Sequence, residues 1–403
     1  MPYPGVTVRI LDESLVVSNS ELDSPTIGGF LGLPGNHSMK LFAYNGPTGT
    51  EAQQGYYYVE NLADWFARLT SFYNYNYPGF SGTNGATLAA RDLLTNGATA
   101  WTDEWYHVHN FLQYGAPCYV TWQDSGATMD FKYLDIDVVF SGSTGNGGTP
   151  AHNAYVSSMI DERASTPNPV FGVLAVHSGT TITGAMTVTS SPTSAQYAAA
   201  AFGEKKHFNV AGDPANLIIS SLAPDVAGCI ARTDRESYPW FSPAGARRGR
   251  IANAVSTTRY LSEADKSTLY GARINPIFNV PGEGILLWGD KTLYTGTSTL
   301  SGINVARLFI YLKKTIAPIA RGVLFEQNDQ ITRNLFISAA DSVLADVVAK
   351  RGISEYKIIC DETNNTPEII EAKTFVADIL VKPIPSINFV RLTFTNKDLS
   401  STL

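Results

Sequence analysis

Two short segments at opposite ends of the chain alternate apolar and polar residues, and prolines precede each segment. The apolar positions are Val6, Val8 and Ile10 at one end, and Val390, Leu392 and Phe394 at the other. The preceding prolines are Pro2, Pro4, Pro383 and Pro385. Such alternation places every second side chain on one face of a β-strand. The chain is therefore predicted to carry a strand-like arm at each end.

The composition bears on what these arms do. Charged residues make up 16% of the chain, against about 25% in typical soluble domains. The 20 Tyr, 19 Phe and 6 Trp favour extensive contact with other proteins, because aromatic residues are enriched in interfaces. A β-rich protein with a Ser, Thr and Asn surface would have a similar composition. Each arm either completes the sheet of its own subunit or adds a strand to the sheet of a neighbour.

Net charge and cysteine content narrow the class of protein. A charge of −7 gives no global basic field, so we expect no direct binding to nucleic acid. The three cysteines are odd in number and far apart, which fits neither a disulfide framework nor a zinc ribbon. The start of the chain has no signal-peptide pattern, and no stretch approaches 18 uninterrupted apolar residues. We expect a soluble protein, made in the cytoplasm and not inserted in a membrane.

The body between the arms alternates helix and strand signals. Helices are predicted at 60–73, 85–95 and 328–352, and buried strands at 170–176 and 216–222. Residues 110–122 indicate a helix end, a turn at Gly115 and a strand, while 356–365 and 375–381 indicate two more strands. Gly, Ser and Thr dominate 141–150 and 178–198, which favours peripheral insertions. The predicted fold is mixed α/β, multi-domain, with a more β-rich peripheral insertion and extended terminal strand arms.

The sequence motifs that would indicate catalysis or cofactor binding are wrongly spaced or incomplete. The stretch PGEGILLWGDKTL at 281–293 has Asp290 after Gly289 and Lys291 one place late for a phosphate-binding loop. On a strand, His107 and His109 would face one metal ion, but a surface histidine pair without metal is the favoured interpretation. No nucleophile elbow is present. We predict no catalytic, metal or cofactor-binding residues.

Several segments resemble contractile tail sheath proteins. The central ones are PDVAGCIARTDRESYPWFSPAG (224–245), LSEADKSTLYGARINPI (261–277) and GEGILLWGDKTL (282–293). The resemblance continues through NVARLFIYLKKTI, VLFEQND and YKIICDETNNTPEII, and PYPGVTVRI resembles the family's start. It covers the C-terminal 180 residues strongly and the start moderately. Asp290 departs from the family's small residue, and Lys291 stands for its arginine, which puts an ion pair at that corner in doubt.

The resemblance implies a subunit of a sheath that stacks as six-subunit rings around a tail tube and contracts to drive the tube through a cell envelope. The implied partners are further copies of the chain, the tail tube protein, and baseplate and tail terminator proteins. The implied location is the virion tail, assembled in the host cytoplasm. The alternatives are a sheath of a bacterial contractile injection system or bacteriocin particle, and, more remotely, a cytoplasmic α/β enzyme. The glycines of the stretch at 281–293 are then interpreted as residues that form turns and let the Trp288 ring pack in a core.

The domains that follow from this interpretation are an N-terminal arm (1–25), an outer α/β domain with insertions (26–280), an inner core domain facing the tube (281–385) and a C-terminal arm (386–403). Within the inner domain, 303–325 carries four cations and no acid. Helical spacing of seven places Arg307, Lys314 and Arg321 on one stripe, with Lys313 beside it. Pro318 removes one helix hydrogen bond, which favours a kink in the helix or an end of the stripe before Arg321. We predict that this basic stripe faces the tube, the alternative being a solvated helix face.

Overall fold

A computed structural model describes residues 28–33, 56–66, 100–122, 134–141, 150–177, 191–209 and 214–389, with positions 179 and 182. Both predicted arm strands and the helix predicted at 85–95 lie outside these ranges. Of the helix predicted at 60–73, residues 60–66 are described, and 62–66 are helical. The strand predicted at 170–176 is confirmed.

A seven-stranded sheet forms the larger part of the described fold. In chain order its strands are β1 (Gly28–Leu33), β2 (Tyr56–Val59), β3 (Cys118–Trp122), β4 (Val138–Ser141), β5 (Phe171–Val176), β6 (Ala198–Phe202) and β10 (Ile274–Asn275). Their spatial order is β10-β6-β5-β4-β1-β3-β2, and only the β2–β3 pair is antiparallel. Strands β4, β5 and β6 are buried along their whole length, which explains their continuous apolar runs.

Three helices pack against this sheet: α1 (Ala100–Leu112), α2 (Pro150–Ala164) and α3 (Ala223–Glu236). Beside the sheet, β7 (Glu204–His207) pairs with β8 (Ile218–Ser221) and with β9 (Ser256–Thr257), both antiparallel. The strand predicted at 216–222 is present, but Ile219 is 43% exposed. The prediction of a fully buried strand was wrong there, because β8 belongs to the small antiparallel sheet and not to the parallel one.

The chain then passes through α4 (Glu263–Gly271) and a hairpin of β11 (Ile277–Val280) and β12 (Gly284–Leu287). Helices α5 (Ile303–Gly322) and α6 (Gln330–Ala349) follow. Pro318 does not end α5, which continues to Gly322. The helix predicted at 328–352 is confirmed, and Asp329 caps it by accepting a hydrogen bond from the Thr332 amide at 2.8 Å.

The described chain ends with β13 (Ile353–Ile359), α7 (Pro367–Glu371) and β14 (Asp378–Pro383). Two apolar cores result, one around the large sheet and one around α5, α6 and the β13–β14 pair. Ile285, Leu287 and Leu293 pack in the first core, while the domain boundary at residue 280 remains a prediction. The mixed α/β fold class is confirmed. Within the described ranges, none of the helices has the length and hydropathy that spanning a bilayer requires.

Candidate assembly site

The glycine-rich stretch at 281–293 is a hairpin turn followed by a corner. Gly282 and Gly284 have φ angles of 83° and 92°, which non-glycine residues rarely adopt, so these glycines do make the turn. The prediction that Trp288 packs in a core was wrong, because its side chain is 47% exposed. Leu287 points into the core with 0% exposure, and successive side chains of an extended chain point to opposite sides. The Trp288 ring lies outside, 5.8 Å from that of Phe278.

Asp290 and Lys291 at this corner have different partners. The Asp290 side chain is buried and accepts hydrogen bonds from the Ser386 hydroxyl and, at 3.0 Å, from Asn388 Nδ2. The Lys291 ammonium lies 3.7 Å from the centre of the Tyr270 ring and donates to the Tyr270 carbonyl at 2.8 Å. At this corner, Asp290 therefore holds the chain that leaves β14, and Lys291 holds helix α4.

Residues 384–389 form the root of the C-terminal arm. Ile384 donates its amide to the Gly352 carbonyl at 3.1 Å. Beyond it, Ser386 and Asn388 face the body of the protein, whereas Ile387 and Phe389 are 84% and 85% exposed. A groove of about 560 Å³ runs beside this root, and its lining includes Trp240, Tyr270, Arg248, Trp288 and Arg351. The arm root thus presents apolar side chains next to an aromatic and basic groove.

The structure corrects the prediction of a tube-facing basic stripe. Arg307 and Lys314 do share one side of α5, but their anionic partners belong to this chain. Arg307 is 4% exposed and pairs with Asp234, while the Lys314 ammonium lies 2.7 Å from both Asp135 and Asp137.

Lys313 and Arg321, the other two residues of the predicted stripe, differ in exposure. Lys313 is 1% exposed and donates to the Ala164 carbonyl at 2.7 Å, and burial lowers its pKa to about 8. Arg321, in the last turn, is exposed. Arg307, Lys313 and Lys314 therefore join α5 to the rest of the subunit and are not free to bind a tube.

The β13–β14 sheet has two strands, and within the described residues no further strand pairs with either outer edge. The segment YKIICDETNNTPEII, which resembles the family, lies inside this unit. Asn365 is 1% exposed, accepts a hydrogen bond from the Val376 amide at 2.9 Å and donates to the Val376 carbonyl at 2.8 Å. Asn364 donates to the Ile359 carbonyl at 2.7 Å. The two asparagines hold the chain between β13 and β14 in place and leave the sheet edges open.

The histidine pair lies on helix α1 and is buried, so the prediction of a surface pair was wrong. The amide of Ser221 donates to His107 Nε2 at 3.3 Å, and His109 stacks on the Trp105 ring. Burial and the Lys205 charge lower the pKa of His109 to about 4. The described residues contain no group of three or more His, Cys, Asp or Glu side chains placed to hold a metal ion.

Sequence reasoning missed a buried ion pair near these histidines. The Lys205 ammonium lies 2.8 Å from Asp225 Oδ1, and both side chains are 0% exposed. The Tyr114 hydroxyl donates to the same oxygen at 3.0 Å and accepts from the Ala252 amide at 2.9 Å. Burial, followed by the Asp225 charge, raises the pKa of Tyr114 well above its ordinary value. The group ties β7, α1 and α3 together, and no local motif marks it, since its members are distant in sequence.

Comparison with known proteins places these features in a family. Residues 127–293 match the model of the phage tail sheath protein central domain, and residues 295–397 match that of the phage tail sheath C-terminal domain. The chain is 44% identical over 173 residues to the tail sheath protein of Vibrio phage KVP40, and 42% identical over 173 residues to that of Enterobacteria phage T4. Each alignment covers 43% of this chain and 26% of the relative.

A solved structure extends the comparison to nearly the whole chain. The sheath complex of an extracellular contractile injection system, PVC, in its contracted state has a TM-score of 0.69 to this chain at 17% identity. The alignment covers 98% of both chains, which shows a common fold. The two family models together match more than half of the chain, in consecutive order and with the motifs described above. The chain belongs to the phage tail sheath protein family.

Proposed function

We propose that this protein is the repeating subunit of a contractile tail sheath, which stacks as six-subunit rings around a tail tube in the virion and contracts to drive the tube through the host envelope. The observation that carries the proposal is the combination of an open two-stranded sheet with an arm root that leaves the same unit. A subunit of a bacterial contractile injection system would have the same properties.

The β13–β14 sheet supports self-assembly. A two-stranded sheet is marginally stable on its own, and its unpaired edges accept further strands through main-chain hydrogen bonds. The arm segments at 6–10 and 390–394 have the alternation of strands, and we propose that they pair with these edges in neighbouring subunits. Such pairing lets subunits rotate as rigid bodies while they remain joined.

The energy for contraction is stored in assembly, and we propose that the protein has no enzymatic activity. The relatives are tail sheath proteins, which fits a structural role. The extended lattice is a kinetic trap that relaxes to a more stable packing. Lys205 and Asp225 form a buried ion pair, and Tyr114 donates to the same carboxylate, so these polar groups are tied into the fold.

The sheath requires a surface for the tube, and we propose the exposed end of the α5–α6 hairpin. Arg321 is exposed there, Phe325 is 85% exposed, and Ile331 and Leu335 on the outer face of α6 are 70% and 66% exposed. We propose this surface as the tube contact in place of the basic stripe of Arg307, Lys313 and Lys314 that the sequence predicted. Baseplate and tail terminator proteins are the proposed partners at the two ends of the sheath.

Electron microscopy of the purified protein tests the proposal. We expect tubes with six-fold cogwheel views, and deletion of residues 1–11 or 386–403 should leave folded subunits that form no long tubes. Monodisperse small particles from the full chain, at all concentrations and salts tried, would contradict the proposal. For the tube surface, Leu335→Ser with Arg321→Glu should leave sheath-only tubes intact and prevent assembly on purified tail tubes. Unchanged co-assembly would reject that surface.

A further inference from the structure

Asp290 is the centre of a small hydrogen-bonded group that the proposed function does not explain. It lies directly after the corner at Gly289 and is 4% exposed. Its two carboxylate oxygens accept from two side chains of the arm root, Ser386 on Oδ2 and Asn388 on Oδ1. Asn388 also donates to the Tyr270 hydroxyl at 3.0 Å. Both side-chain donors to Asp290 therefore come from the arm root.

This arrangement makes detachment of the root costly. If residues 386–389 left the body, the Asp290 carboxylate would lose both of these donors at once. A buried carboxylate that loses its hydrogen-bond partners carries a large desolvation penalty. The root is therefore held against the body in the free subunit.

The same bonds determine which side of the root faces outward. Ser386 and Asn388 turn toward Asp290, whereas Ile387 and Phe389 are 84% and 85% exposed, with the Phe389 ring 6.4 Å from that of Tyr270. This orientation reverses the usual one, in which apolar side chains are buried and polar ones face solvent. Trp288, which is half-exposed, adds a third apolar side chain beside them.

We infer that Asp290 is a positioning residue that latches the root of the C-terminal arm, so that Ile387 and Phe389 form a docking patch for a second copy of this chain. The inference rests on the proposed function, since the second copy is a neighbouring sheath subunit. Residues 390–403 continue directly from Phe389 and include the alternating segment Val390, Leu392 and Phe394. A neighbour that receives this segment lies next to the patch.

The distribution of charge on the chain supports a second copy as the partner that binds the docking patch. The groove beside the patch contains Arg248 and Arg351, with the exposed Arg247 close to Arg248. In the same chain, residues 323–383 contain ten Asp or Glu and six Lys or Arg. Arg351 itself lies in this acidic unit, so Arg247 and Arg248 of one subunit are the charges that complement the C-terminal unit of another. A contact between different surfaces of identical subunits builds rings or helices.

Spin labels on the free subunit test the latch without assembly. The three native cysteines are buried, so labels are introduced by Ile387→Cys and by Glu283→Cys on the exposed hairpin turn. We expect one narrow distance distribution between the labels. Adding Asp290→Ala should broaden it, and adding Ser386→Ala with Asn388→Ala should do the same without altering a buried residue. A distribution that stays narrow in both would overturn the latch.

Tube formation tests the docking patch in chains that carry no labels. Asp290→Ala, and separately Ser386→Ala with Asn388→Ala, should raise the critical concentration for tubes by about tenfold or more, a change of ~1.4 kcal/mol. Ile387→Ser with Phe389→Ser should prevent tubes. The matched controls are Asp341→Asn, which removes a carboxylate bonded to Tyr356, and Tyr260→Ser, which removes an aromatic ring that is 87% exposed.

The results of these two experiments test the Asp290 latch and the proposed function separately. A broadened label distribution with an unchanged critical concentration would overturn the docking patch, as would an equal loss of tubes in Tyr260→Ser. If the unaltered protein forms no tubes, the proposed function fails, and the label distances still decide whether Asp290 holds the arm root.

Discussion

Arg307 of helix α5 donates to Asp234 of helix α3, and this ion pair joins the two apolar cores. Their side chains are 4% and 12% exposed, and Arg307 also donates to the Asp137 carbonyl at 3.3 Å. Asp234 belongs to the segment 224–245 and Arg307 to the segment NVARLFIYLKKTI, both of which resemble the family. Two motifs distant in sequence therefore meet in one interaction.

Removal of one partner should destabilise the fold strongly. We expect Asp234→Ala to lower the free energy of unfolding by about 3 to 5 kcal/mol, because it leaves the Arg307 guanidinium buried and without its carboxylate. Urea unfolding of protein kept monomeric at low concentration measures this, with the m value checked for constancy.

The control for this prediction is the partly exposed pair of Lys350 and Asp346, whose side chains are 29% and 37% exposed. Asp346→Ala should cost at most about 1 kcal/mol. Equal effects of the two alanine substitutions would contradict the role given to Arg307. Charge reversal at Arg307 is also a poor probe of tube binding, since it would unfold the subunit first.

The glycine in the central motif can be tested by adding one methyl group. A Cβ at Gly228 would lie 2.2 Å from Tyr114 Cδ2, and the Tyr114 hydroxyl is fixed by Asp225 and by the Ala252 amide. We expect Gly228→Ala to cost about 1 to 3 kcal/mol by overpacking. Gly271→Ala is the matched control, because nothing lies within 4 Å of its added Cβ. Thermal unfolding of the two variants compares them, and a stable Gly228→Ala protein would refute the packing argument.

Local signals predicted the fold better than the site. The helix at 330–349 and strand β5 were predictable because a cap, a periodic pattern or a continuous apolar run lies within the segment itself. The partners of Arg307 and Lys314 were not, because Asp234 and Asp137 come from elements far away in the chain. A spacing of seven correctly placed both cations on one side of α5, but it carries no information about what faces that side.

The errors at Trp288 and His109 have the same origin. Trp288 follows three buried residues of β12, and its ring lies on the side opposite the Leu287 side chain. His109 belongs to a helix whose inner face meets β8 and α3, so burial rather than exposure follows from tertiary contacts. Asp290 was noticed as a departure from the family pattern, but its partners Ser386 and Asn388 could not be identified from sequence.

Acid should destabilise the subunit through two buried histidines. Burial, followed by the Lys205 charge, lowers the pKa of His109 to about 4 and that of His207 to about 3. Other titratable groups packed in this region include His107, Asp225 and Tyr106, whose ring lies against both histidines. Both pKa values lie below the ordinary value near 6.5, so the unfolded chain binds more protons between pH 6.5 and about 4. Stability is therefore full above pH 6.5 and falls as the pH drops through this window.

The expected loss from the two histidines at pH 5 is on the order of 2 to 4 kcal/mol. Urea midpoints measured between pH 7.5 and 5 check this. His207→Gln removes one titrating group, so the dependence of stability on pH should become about half as steep, whatever its effect at pH 7.5. An unchanged slope would show that other groups control acid stability.

The last prediction concerns Asn365, which connects the motif near the C-terminus to the sheet that we propose for strand addition. Its amide makes two hydrogen bonds to the Val376 backbone, 2.9 Å and 2.8 Å long, at a position that is 1% exposed. Asn365→Ala leaves both Val376 groups without these partners, so we expect a loss of about 2 to 4 kcal/mol.

Because Val376 comes just before β14, the effect of Asn365→Ala should be local. Hydrogen exchange should accelerate in residues 378–383 while helix α6 keeps its protection, and tube formation should fall with the loss of sheet order. Asn334→Ala is the control, since Asn334 is exposed and bonds only to the Gln330 side chain at 2.9 Å among its side-chain contacts. Uniformly faster exchange across α6 and β14 would mean that Asn365 stabilises the whole C-terminal unit and does not specifically order the sheet.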